Sequence, residues 1–463
     1  MTETRISLRF DALREAYRQG SLGPCDVVAG VYDAIARRGD DHVWTALADR
    51  ETAMARAREL QARIGEMDSL PLYGLPFGVK DNVHVAGMPT SCGCPGFTQW
   101  PQHTAAAVQR ALDAGAIFIG KQTLDQFATG LNGTRMLGGH CLNTFDADII
   151  PGGSSTGSGV AVAAGLVSFS LGSDTGGSGR IPAAMNNIVG LRPSIGLVSS
   201  RGMVYNNRLF DCMPVFAPTV AEAHTVLRAI AGHDAQDPIG RVAADGSCWS
   251  LEPNFPARFR FAVPDSLEFF GDTESERCFA QAVRELEALG GTRVSMPFTA
   301  FREAGTMVFE SALVAERAAS YGQVLDEHPG ELVPAVAAVL QRARGYTAID
   351  GFKAQYRLRE LQREIRMQLE GIDVLVTPTV PKAFTVAEML AEPLLRNNQV
   401  GFYTYGVGPL DLCALAVPAA IRRDGVPFGI SLVGRAGEDG RLLGLGERFQ
   451  AAVNLKPGIE ALA

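Results

Sequence analysis

Ser178 is the residue of this sequence whose surroundings best suit a nucleophile. It lies near the end of the segment 172–182 (GSDTGGSGRIP), where consecutive glycines allow a sharp turn that directs several N–H groups into one concavity. A serine in such a turn is a candidate for attack on a carbonyl carbon. The backbone N–H groups of Thr175, Gly176 and Gly177, with that of Ser178 itself, are then the candidate donors to the resulting oxyanion.

A nucleophilic serine needs a base, and the candidate here is a lysine. None of the seven histidines lies in a recognisable motif. Lys80, in contrast, ends the apolar segment 75–80 (LPFGVK), which reads as a buried strand. Burial lowers the pKa of a lysine, so that a neutral amine could accept a proton. The alternatives for Lys80 are a side chain that reaches solvent or one that pairs with Asp81.

A second glycine- and serine-rich segment, 151–159 (PGGSSTGSG), raises the alternative of a phosphate loop. The Walker pattern requires a lysine after its last glycine, but Gly157 is followed by Ser158. The dinucleotide-binding pattern also fails, because Gly159 is followed by Val-Ala-Val. The sequence therefore disfavours a phosphate site.

The elements around these residues predict an α/β fold. Short apolar segments bounded by glycine and proline predict strands over 75–80, 116–120, 373–377, 413–417 and 428–433. Between them, helical spacing predicts helices over 7–65 (one of them over 46–64), 104–114 and 304–369, the last broken at Pro329–Gly330. Such alternation is typical of a sheet covered by helices on both faces.

Composition excludes several classes of protein. Of the 463 residues, 46% are hydrophobic and 20% are charged, which is typical of a globular chain. The net charge of −8 argues against a nucleic-acid binder and gives no reason to expect an anionic membrane as partner. The eight cysteines lack the spacing of zinc ligands, so we expect reduced thiols, no metal and no cofactor.

The sequence also indicates where the protein resides. Residues 1–10 are charged from the start and contain no apolar segment of the kind found in secretory signals. The longest apolar segment, 159–172, is too short to span a bilayer. We therefore expect a soluble, cytoplasmic protein.

Three motifs together resemble the amidase signature family: Lys80, the serine pair in Gly152–Ser155, and Ser173–Ser178. They occur in the family's order, and the resemblance extends over about residues 70–435. It implies an α/β/α sandwich with a central, mixed, twisted sheet. We expect a single domain over 1–463, with N-terminal helices in 1–65, a signature core in 70–240 and a helical substrate-pocket region in 300–370.

The same resemblance implies a Ser–cis-Ser–Lys triad. In it, Ser178 attacks the carbonyl carbon and Lys80 takes up the proton. Ser154, preceded by a cis peptide bond, relays the proton between them. The step of 24 residues from Ser154 to Ser178 fits the family spacing and favours Ser154 over its neighbour Ser155.

Within the family, the chain is most similar to the amidase domains of allophanate hydrolases. The resembling segments are 124–135, which includes Gly130 as an implied substrate-binding residue, 186–193, 211–212 and 410–418. Allophanate hydrolases release ammonia from a carboxylated urea. The resemblance therefore implies a small ureido amide as substrate. Those enzymes usually carry a further C-terminal domain, which we expect to be absent here.

The substrate pocket departs from that pattern. The related segment has a tyrosine and, eight residues later, an arginine, which together hold the substrate carboxylate; here these positions are Phe309 and Arg317. Phenylalanine cannot donate a hydrogen bond. On one helix, residues 309, 310, 313 and 317 would share a face. Arg317 could then bind an anion, as in allophanate, or pair with Glu310 and leave a pocket for a neutral or cationic urea such as guanylurea. A solvent-exposed Glu–Arg pair without a role is the third alternative.

Two other classes of function share this scaffold. The glutamyl-tRNA amidotransferase A chain has the same triad but delivers ammonia to partner chains. A binding protein without catalysis is the other, although Lys80, Ser154 and Ser178 are all present. Homodimers are usual among the relatives, so we expect a homodimer with a small-molecule substrate and neither a nucleic-acid nor a membrane partner.

Overall fold

The computed structural model describes residues 6–243, 246 and 249–462. The first five residues of the predicted N-terminal helical region therefore lie outside the described residues, as does Cys248. The strands of the described part are β1 Trp44–Leu47, β2 Pro76–Lys80, β3 Ile117–Gln122, β4 Phe169–Leu171, β5 Val189–Arg192, β6 Val215–Ala217, β7 Phe259–Pro264, β8 Gly291–Met296, β9 Val374–Pro378, β10 Leu412–Ile421 and β11 Pro427–Arg435.

The α-helices of the same residues surround these strands. They are α1 Phe10–Gln19, α2 Pro24–Arg38, α3 Arg50–Ala62, α4 Ala106–Asp113, α5 Thr156–Ala163, α6 Ile181–Met185, α7 Val220–Ile230, α8 Thr273–Ala288, α9 Thr299–Glu310, α10 Ala315–Tyr321, α11 Val324–Glu327, α12 Pro334–Ala343, α13 Ala348–Gln368, α14 Val386–Ala391, α15 Leu395–Val400 and α16 Asp439–Val453.

All the described strands join one mixed sheet, in the order β1-β3-β2-β4-β6-β5-β10-β11-β9-β7-β8. Strand β2 runs parallel to both β3 and β4, whereas β10 pairs antiparallel with β5 and β11. Every residue of β2 and β9 is buried, which requires cover on both faces of the sheet. The prediction of an α/β fold with a mixed sheet between helices is confirmed.

One short strand was not predicted. Residues 46–64 read as a helix, but β1 occupies Trp44–Leu47 and α3 begins only at Arg50. The helix starts there because the side chain of Asp49 accepts a hydrogen bond from the N–H of Thr52 and so caps its first turn. A four-residue strand that is half exposed carries too little hydrophobic pattern to be recognised.

The helical region over 304–369 is more broken than predicted. Helix α9 ends at Glu310, and Ser311 has an extended backbone with φ −123° and ψ 178°. Arg317 lies on the separate helix α10. The prediction that residues 309, 310, 313 and 317 share one helical face is therefore wrong. The break at Pro329 is found, as a short 3-10 turn over Pro329–Glu331.

Neither a membrane span nor a metal cluster is found in the part of the chain that the structure describes. No helix of residues 6–243, 246 and 249–462 has both the length and the hydropathy needed to cross a bilayer. The same residues contain no group of three His, Cys, Asp or Glu side chains arranged to hold a metal ion.

Candidate active site

The sheet brings the three predicted catalytic residues to one edge. Lys80 is the last residue of β2, and β4 pairs with β2 in parallel. The carboxyl ends of parallel neighbours open on the same edge of a sheet, so the chain that leaves β4 carries Ser173 and Ser178 to Lys80. Ser154 lies in a separate segment of the chain, the loop that leads into the buried helix α5.

Lys80, Ser154 and Ser178 form an unbroken hydrogen-bonded chain. The Nζ atom of Lys80 lies 2.7 Å from Oγ of Ser154. The Ser154 hydroxyl donates to Oγ of Ser178 at 2.8 Å. The peptide bond between Gly153 and Ser154 is cis, at the position that the resemblance implies. All three side chains are buried. A proton could therefore pass from Ser178 to Lys80 through one hydroxyl without crossing water.

The surroundings of Lys80 favour its neutral form. Among the described residues no carboxylate lies within ion-pairing distance of its amine, because Asp81 pairs instead with Lys121 on the adjacent strand, at 3.1 Å. This contact excludes the alternative pairing of Lys80 with Asp81. Burial lowers the pKa of Lys80 to about 7, although Asp125, Asp211 and Asp174 oppose the shift. Near neutral pH a large fraction of the amine can therefore accept a proton.

A neutral amine also has the right number of hydrogen-bonding partners. The Nζ atom lies 2.8 Å from Oγ of Ser173, which also accepts a hydrogen bond from the side-chain amide of Asn82 at 3.2 Å. Lys80 donates to Ser173 and to the oxygen of Ser154, and rotation of the two serine hydroxyl groups would reverse the chain so that Ser178 donates to Ser154 and Ser154 to the lone pair of a neutral Lys80. Ser173 and Asn82 orient the amine in this arrangement.

We expect kcat/KM for hydrolysis to rise with pH through a midpoint near 7. Below that pH Lys80 gains a proton and loses its ability to act as base, so kcat/KM should fall about tenfold per pH unit. The measurement is a pH profile of ammonia release at several temperatures. An amine ionises with a large enthalpy and a carboxyl group with almost none, so the midpoint should move to lower pH on warming.

The temperature series is needed because the carboxyl groups of the buried Asp211 and the half-buried Glu316 titrate in the same range. Burial raises the pKa of Asp211 to about 6 and that of Glu316 to about 7. A midpoint that does not move with temperature would assign the acid limb to one of these carboxyl groups. A profile without an acid limb would contradict a lysine base altogether.

The loop that carries Ser178 is organised by the carboxylate of Asp174. One oxygen accepts the N–H of Gly177 at 2.9 Å, and the other accepts the N–H of Gly179 at 2.9 Å. The guanidinium group of Arg180 contacts both oxygens, at 3.0 and 3.1 Å. Burial would raise the pKa of Asp174, but Arg180 and Arg192 outweigh this effect and lower it to about 2. Asp174 therefore stays ionised and holds the turn in place.

This arrangement revises the predicted set of oxyanion donors. The sequence predicted Gly177 as an oxyanion donor, but its N–H already donates a hydrogen bond to the carboxylate of Asp174. Among the described residues, the N–H groups of Thr175, Gly176 and Ser178 have no acceptor. A Cβ atom at Gly176 would lie 2.6 Å from the ring of Tyr405, so only glycine fits at this position. The candidate oxyanion hole thus comprises three N–H groups.

Ser154 is positioned by a second carboxylate, that of Asp125. The N–H of Asp125 donates to the carbonyl oxygen of Ser154 at 3.1 Å. Its side chain accepts the N–H groups of Asn132 and Gly133 at 3.0 Å. Gly130 packs against this carboxyl group, since a Cβ there would lie 2.7 Å from Cγ of Asp125. Gly130 was predicted to bind substrate; the contact that the structure gives it is with the loop that supports Ser154.

The neighbouring hydroxyl, Ser155, lies outside the proton path. Its Oγ donates to the backbone carbonyl of Ser173 at 3.0 Å and accepts the N–H of the same residue at 3.3 Å. These two bonds tie the loop after β4 to the start of α5. The geometry therefore agrees with the choice of Ser154 over Ser155 as the bridging hydroxyl.

Phe309 and Arg317 are brought together although they lie on different helices. The guanidinium carbon of Arg317 lies 4.9 Å from the centre of the Phe309 ring. The same ring meets that of Tyr405 edge-on, at 4.5 Å between centroids. Tyr405 in turn packs on Gly176 of the nucleophile loop. Contacts between aromatic rings therefore link Arg317 to the loop that carries the candidate oxyanion hole.

Arg317 is buried without a counter-ion. It is 1% exposed, and among the described residues no carboxylate forms an ion pair with it. One terminal nitrogen donates to the carbonyl oxygen of Val308 at 3.0 Å, and Nε has no partner. Glu310 is exposed and, with Arg302 and Phe309, lines a cavity of about 270 Å³. The predicted alternative in which Glu310 pairs with Arg317 is therefore wrong.

Comparison with known proteins identifies the family. A model of the amidase family matches residues 26–443. The chain belongs to the amidase family. The urea amidolyase of Saccharomyces cerevisiae is 36% identical over 412 residues, which are 88% of this amidase but only 22% of the yeast protein. The A component of the glutamyl-tRNA(Gln) amidotransferase of Acidobacterium capsulatum is 32% identical, over 97% of this chain and 98% of that component.

A solved structure extends the similarity to the whole described fold. Allophanate hydrolase of Kluyveromyces lactis superposes with a TM-score of 0.93 and 33% sequence identity, over 99% of this amidase and 75% of the hydrolase chain. The chain is thus an amidohydrolase of the amidase family that resembles the allophanate hydrolases.

Several supporting residues of this amidase were given no role from the sequence. Asn82 stands two positions after Lys80, and Ser173 and Asp174 stand in the same motif as Ser178. Their position beside the candidate triad is the signal that could have identified them. Tyr405 and Asp125 are distant in sequence, and only the folded chain shows that they contact the loops that carry Ser178 and Ser154.

Proposed function

We propose that the chain is a serine amidohydrolase that releases ammonia from a small ureido amide. Ser178 is the nucleophile, Ser154 the proton relay and Lys80 the base. The observation that carries the proposal is the buried chain of hydrogen bonds from the Lys80 amine through Ser154 to Ser178. The three free N–H groups around Ser178 support it, because an acyl-transfer reaction develops negative charge on oxygen at that position.

The first half of the reaction forms an acyl-enzyme. The Oγ atom of Ser178 attacks the amide carbon while its proton moves to Ser154, whose own proton moves to the neutral amine of Lys80. The oxyanion accepts hydrogen bonds from the N–H groups of Thr175, Gly176 and Ser178. The carbon–nitrogen bond then breaks as Ser154 returns a proton to the leaving nitrogen, and Lys80 restores the hydroxyl hydrogen of Ser154. Ammonia leaves, and Ser178 carries the acyl group.

The second half uses the same relay. A water molecule replaces ammonia and loses a proton through Ser154 to Lys80 as its oxygen attacks the acyl carbon. The ester bond to Ser178 breaks, Oγ recovers the proton, and the carboxylic acid departs. With allophanate, this product is a dicarboxylated amine, which decomposes toward ammonia and carbon dioxide. No metal or organic cofactor is needed at any step.

Allophanate is the substrate that the pocket supports best. Its carboxylate requires a cationic partner, and Arg317 is a buried guanidinium with an unused Nε. An unpaired buried charge is costly, so an anionic substrate that pairs with it would gain binding free energy. Asp211 accepts a hydrogen bond from the Thr175 hydroxyl. Burial raises the pKa of Asp211, and the positive charge of the nearby Arg317 opposes this shift. Arg317 therefore belongs to the surroundings of the nucleophile loop.

Guanylurea remains the second candidate because of Phe309. Where the relatives have a tyrosine, this chain has Phe309. Its ring packs against Arg317 but cannot donate a hydrogen bond to a carboxylate. Such a pocket holds a carboxylate with fewer hydrogen bonds. The amidotransferase function is a third candidate, supported by the similarity to the amidotransferase A component over nearly the whole chain. Ammonia release by the isolated protein from a small ureide would favour a hydrolase.

We expect the isolated chain to release ammonia from allophanate faster than from biuret, guanylurea, malonamate or glutamine. Replacement of Arg317 by glutamine should lower kcat/KM for allophanate on the order of 10²-fold, because charge-assisted hydrogen bonds to the carboxylate are lost. Neutral biuret should lose only a few-fold in the same variant. The measurement is ammonia release across this panel for both proteins.

The ratio of the two substrates separates recognition from structural damage. A variant that simply perturbs the pocket should lose activity on allophanate and biuret alike. Phe309→Tyr serves as the reciprocal control and should raise kcat/KM for allophanate but not for guanylurea. A preference of the unchanged protein for guanylurea, unaffected by Arg317→Gln, would replace allophanate with guanylurea as the substrate.

A further inference from the structure

Asp211 is a buried carboxylate to which the proposed mechanism gives no role. It is 1% exposed and lies beside the loop that carries Ser178. One of its oxygens accepts a hydrogen bond from the hydroxyl of Thr175. The other accepts the backbone N–H groups of Asn206 and Asn207, at 2.7 and 3.1 Å. All three of these donors are uncharged, so the carboxylate is held by hydrogen bonds whose strength depends on direction.

The next residue, Cys212, fixes the backbone on the same side of the nucleophile loop. It pairs with Asp174 in an isolated bridge of two hydrogen bonds. The N–H of Asp174 donates to the carbonyl oxygen of Cys212 at 3.1 Å, and the N–H of Cys212 donates to that of Asp174 at 3.3 Å. The carbonyl group of Asp174 and the N–H of Thr175 belong to one trans peptide unit, in which they point in opposite directions. The N–H of Thr175 therefore points away from the segment 211–212.

The segment 211–212 thus fixes Thr175 at two points. Asp211 holds its side chain, and Cys212 sets the plane of the peptide unit that carries its N–H. That N–H is one of the three in the candidate oxyanion hole, and such donors are effective because they are oriented before the oxyanion forms. We propose that Asp211 is a positioning residue, which orients this N–H through the hydroxyl of Thr175. This role rests on the proposed function, because the oxyanion forms only if Ser178 attacks a carbonyl carbon.

The chemistry of a carboxylate suits this contact. An ionised carboxyl group offers only acceptors, so it can serve one hydroxyl and two N–H groups together. An asparagine at position 211 could keep its oxygen on the two N–H groups and turn its amide nitrogen toward Thr175, whose hydroxyl would then accept instead of donate. Alanine offers neither contact. Asp211→Asn should therefore keep Thr175 in place, whereas Asp211→Ala should release it.

We expect Thr175→Val to lower kcat about tenfold and Asp211→Ala to lower it on the order of 10²-fold, while KM changes less than about threefold. Valine has the shape of threonine but cannot donate to Asp211. The double variant should be no slower than Asp211→Ala, because both changes remove the same hydrogen bond. Asp211→Asn should recover most of the kcat lost in Asp211→Ala. Additive losses in steady-state ammonia release, or no recovery by asparagine, would contradict a role through the Thr175 hydroxyl.

The affinities of two inhibitors distinguish a role in the oxyanion hole from general damage. Methylboronic acid can form a tetrahedral adduct with Ser178 that places a negatively charged oxygen among the three N–H groups. Its dissociation constant should rise in parallel with the loss of kcat in Thr175→Val and Asp211→Ala. Malonate brings no such oxygen, so its dissociation constant should stay within about twofold. Equal losses of affinity for both inhibitors would make Asp211 a purely structural residue and overturn the proposal.

Asp237 provides the matched control for folding. It is 5% exposed and likewise accepts hydrogen bonds from one hydroxyl and two N–H groups, which belong to Ser200 and Ile239. Asp237→Ala should lower the thermal unfolding midpoint as Asp211→Ala does, but should keep kcat within about twofold. Thr175→Val tests the same contact should Asp211→Ala fail to fold.

Two outcomes separate this role from the proposed function. Native kcat in both Asp211→Ala and Thr175→Val, with Ser178→Ala inactive, would overturn the role of Asp211 alone. Turnover by Ser178→Ala would overturn the proposed function and the role of Asp211 with it.

Discussion

Replacement of Ser178 by alanine is expected to abolish hydrolysis while the fold survives. The change removes one hydroxyl, whose described partner is the hydroxyl of Ser154. Without an oxygen nucleophile no acyl-enzyme can form, and loss of the nucleophile in a triad of this kind lowers kcat on the order of 10⁴- to 10⁶-fold. The measurement is ammonia release at saturating substrate, together with the thermal unfolding midpoint of both proteins.

A small fluorophosphonate provides an independent readout of the same site. It should label the native chain at Ser178 and fail to label the alanine variant. Ser155→Ala is the matched control, because within the described part of the chain that hydroxyl bonds only to backbone atoms of Ser173, outside the proposed proton path. It should keep both labelling and most of the turnover. Substantial hydrolysis by Ser178→Ala would remove the proposed mechanism.

Replacement of Lys80 by methionine should lower kcat about 10²- to 10⁴-fold, the usual contribution of a general base. Methionine fills much of the space of the lysine stem but cannot accept a proton. Since no carboxylate of the described residues pairs with this buried amine, its removal also abolishes a desolvation cost. The variant should therefore unfold at the same temperature as the native chain or higher. Kinetics and thermal unfolding of the same preparation test both parts.

The chain offers a second buried lysine for comparison. Lys121, on the adjacent strand, is fully buried and forms an ion pair with the buried Asp81. Lys121→Met would leave that carboxylate without its cation and should destabilise the fold by about 3–5 kcal/mol. Lys80→Met should thus lower turnover without destabilising the fold, whereas Lys121→Met should destabilise the fold. Native-like turnover by Lys80→Met would mean that another group takes the proton.

The candidate catalytic residues could be proposed from the sequence because their signals are local. The glycines around Ser178 permit its turn, and an apolar strand that ends in lysine indicates burial whatever the rest of the chain does. The sequence left open whether Asp81 pairs with Lys80. That question depends on the neighbouring strand, because β3 brings Lys121 beside Asp81. Pairing between strands distant in sequence has no local signature.

Two errors have the same physical origin. The free N–H groups near Ser178 could not be counted from the sequence, since it does not show that the Asp174 side chain folds back on Gly177. The end of α9 was missed because the residues after Glu310 all tolerate a helix. Ser311 instead adopts an extended backbone, and its hydroxyl donates to the carbonyl oxygen of Met307 at 2.6 Å. Side-chain competition for backbone groups decides both cases.

The burial of Ser178, which is only 2% exposed, limits which molecules can ever react with it. The main chain of a folded protein is too wide to approach an oxygen at that depth. We expect only small solutes to reach this oxygen. The peptide bonds of neighbouring macromolecules, including those on the surface of another copy of this chain, therefore stay out of reach. We therefore expect that a concentrated solution of this amidase does not digest itself.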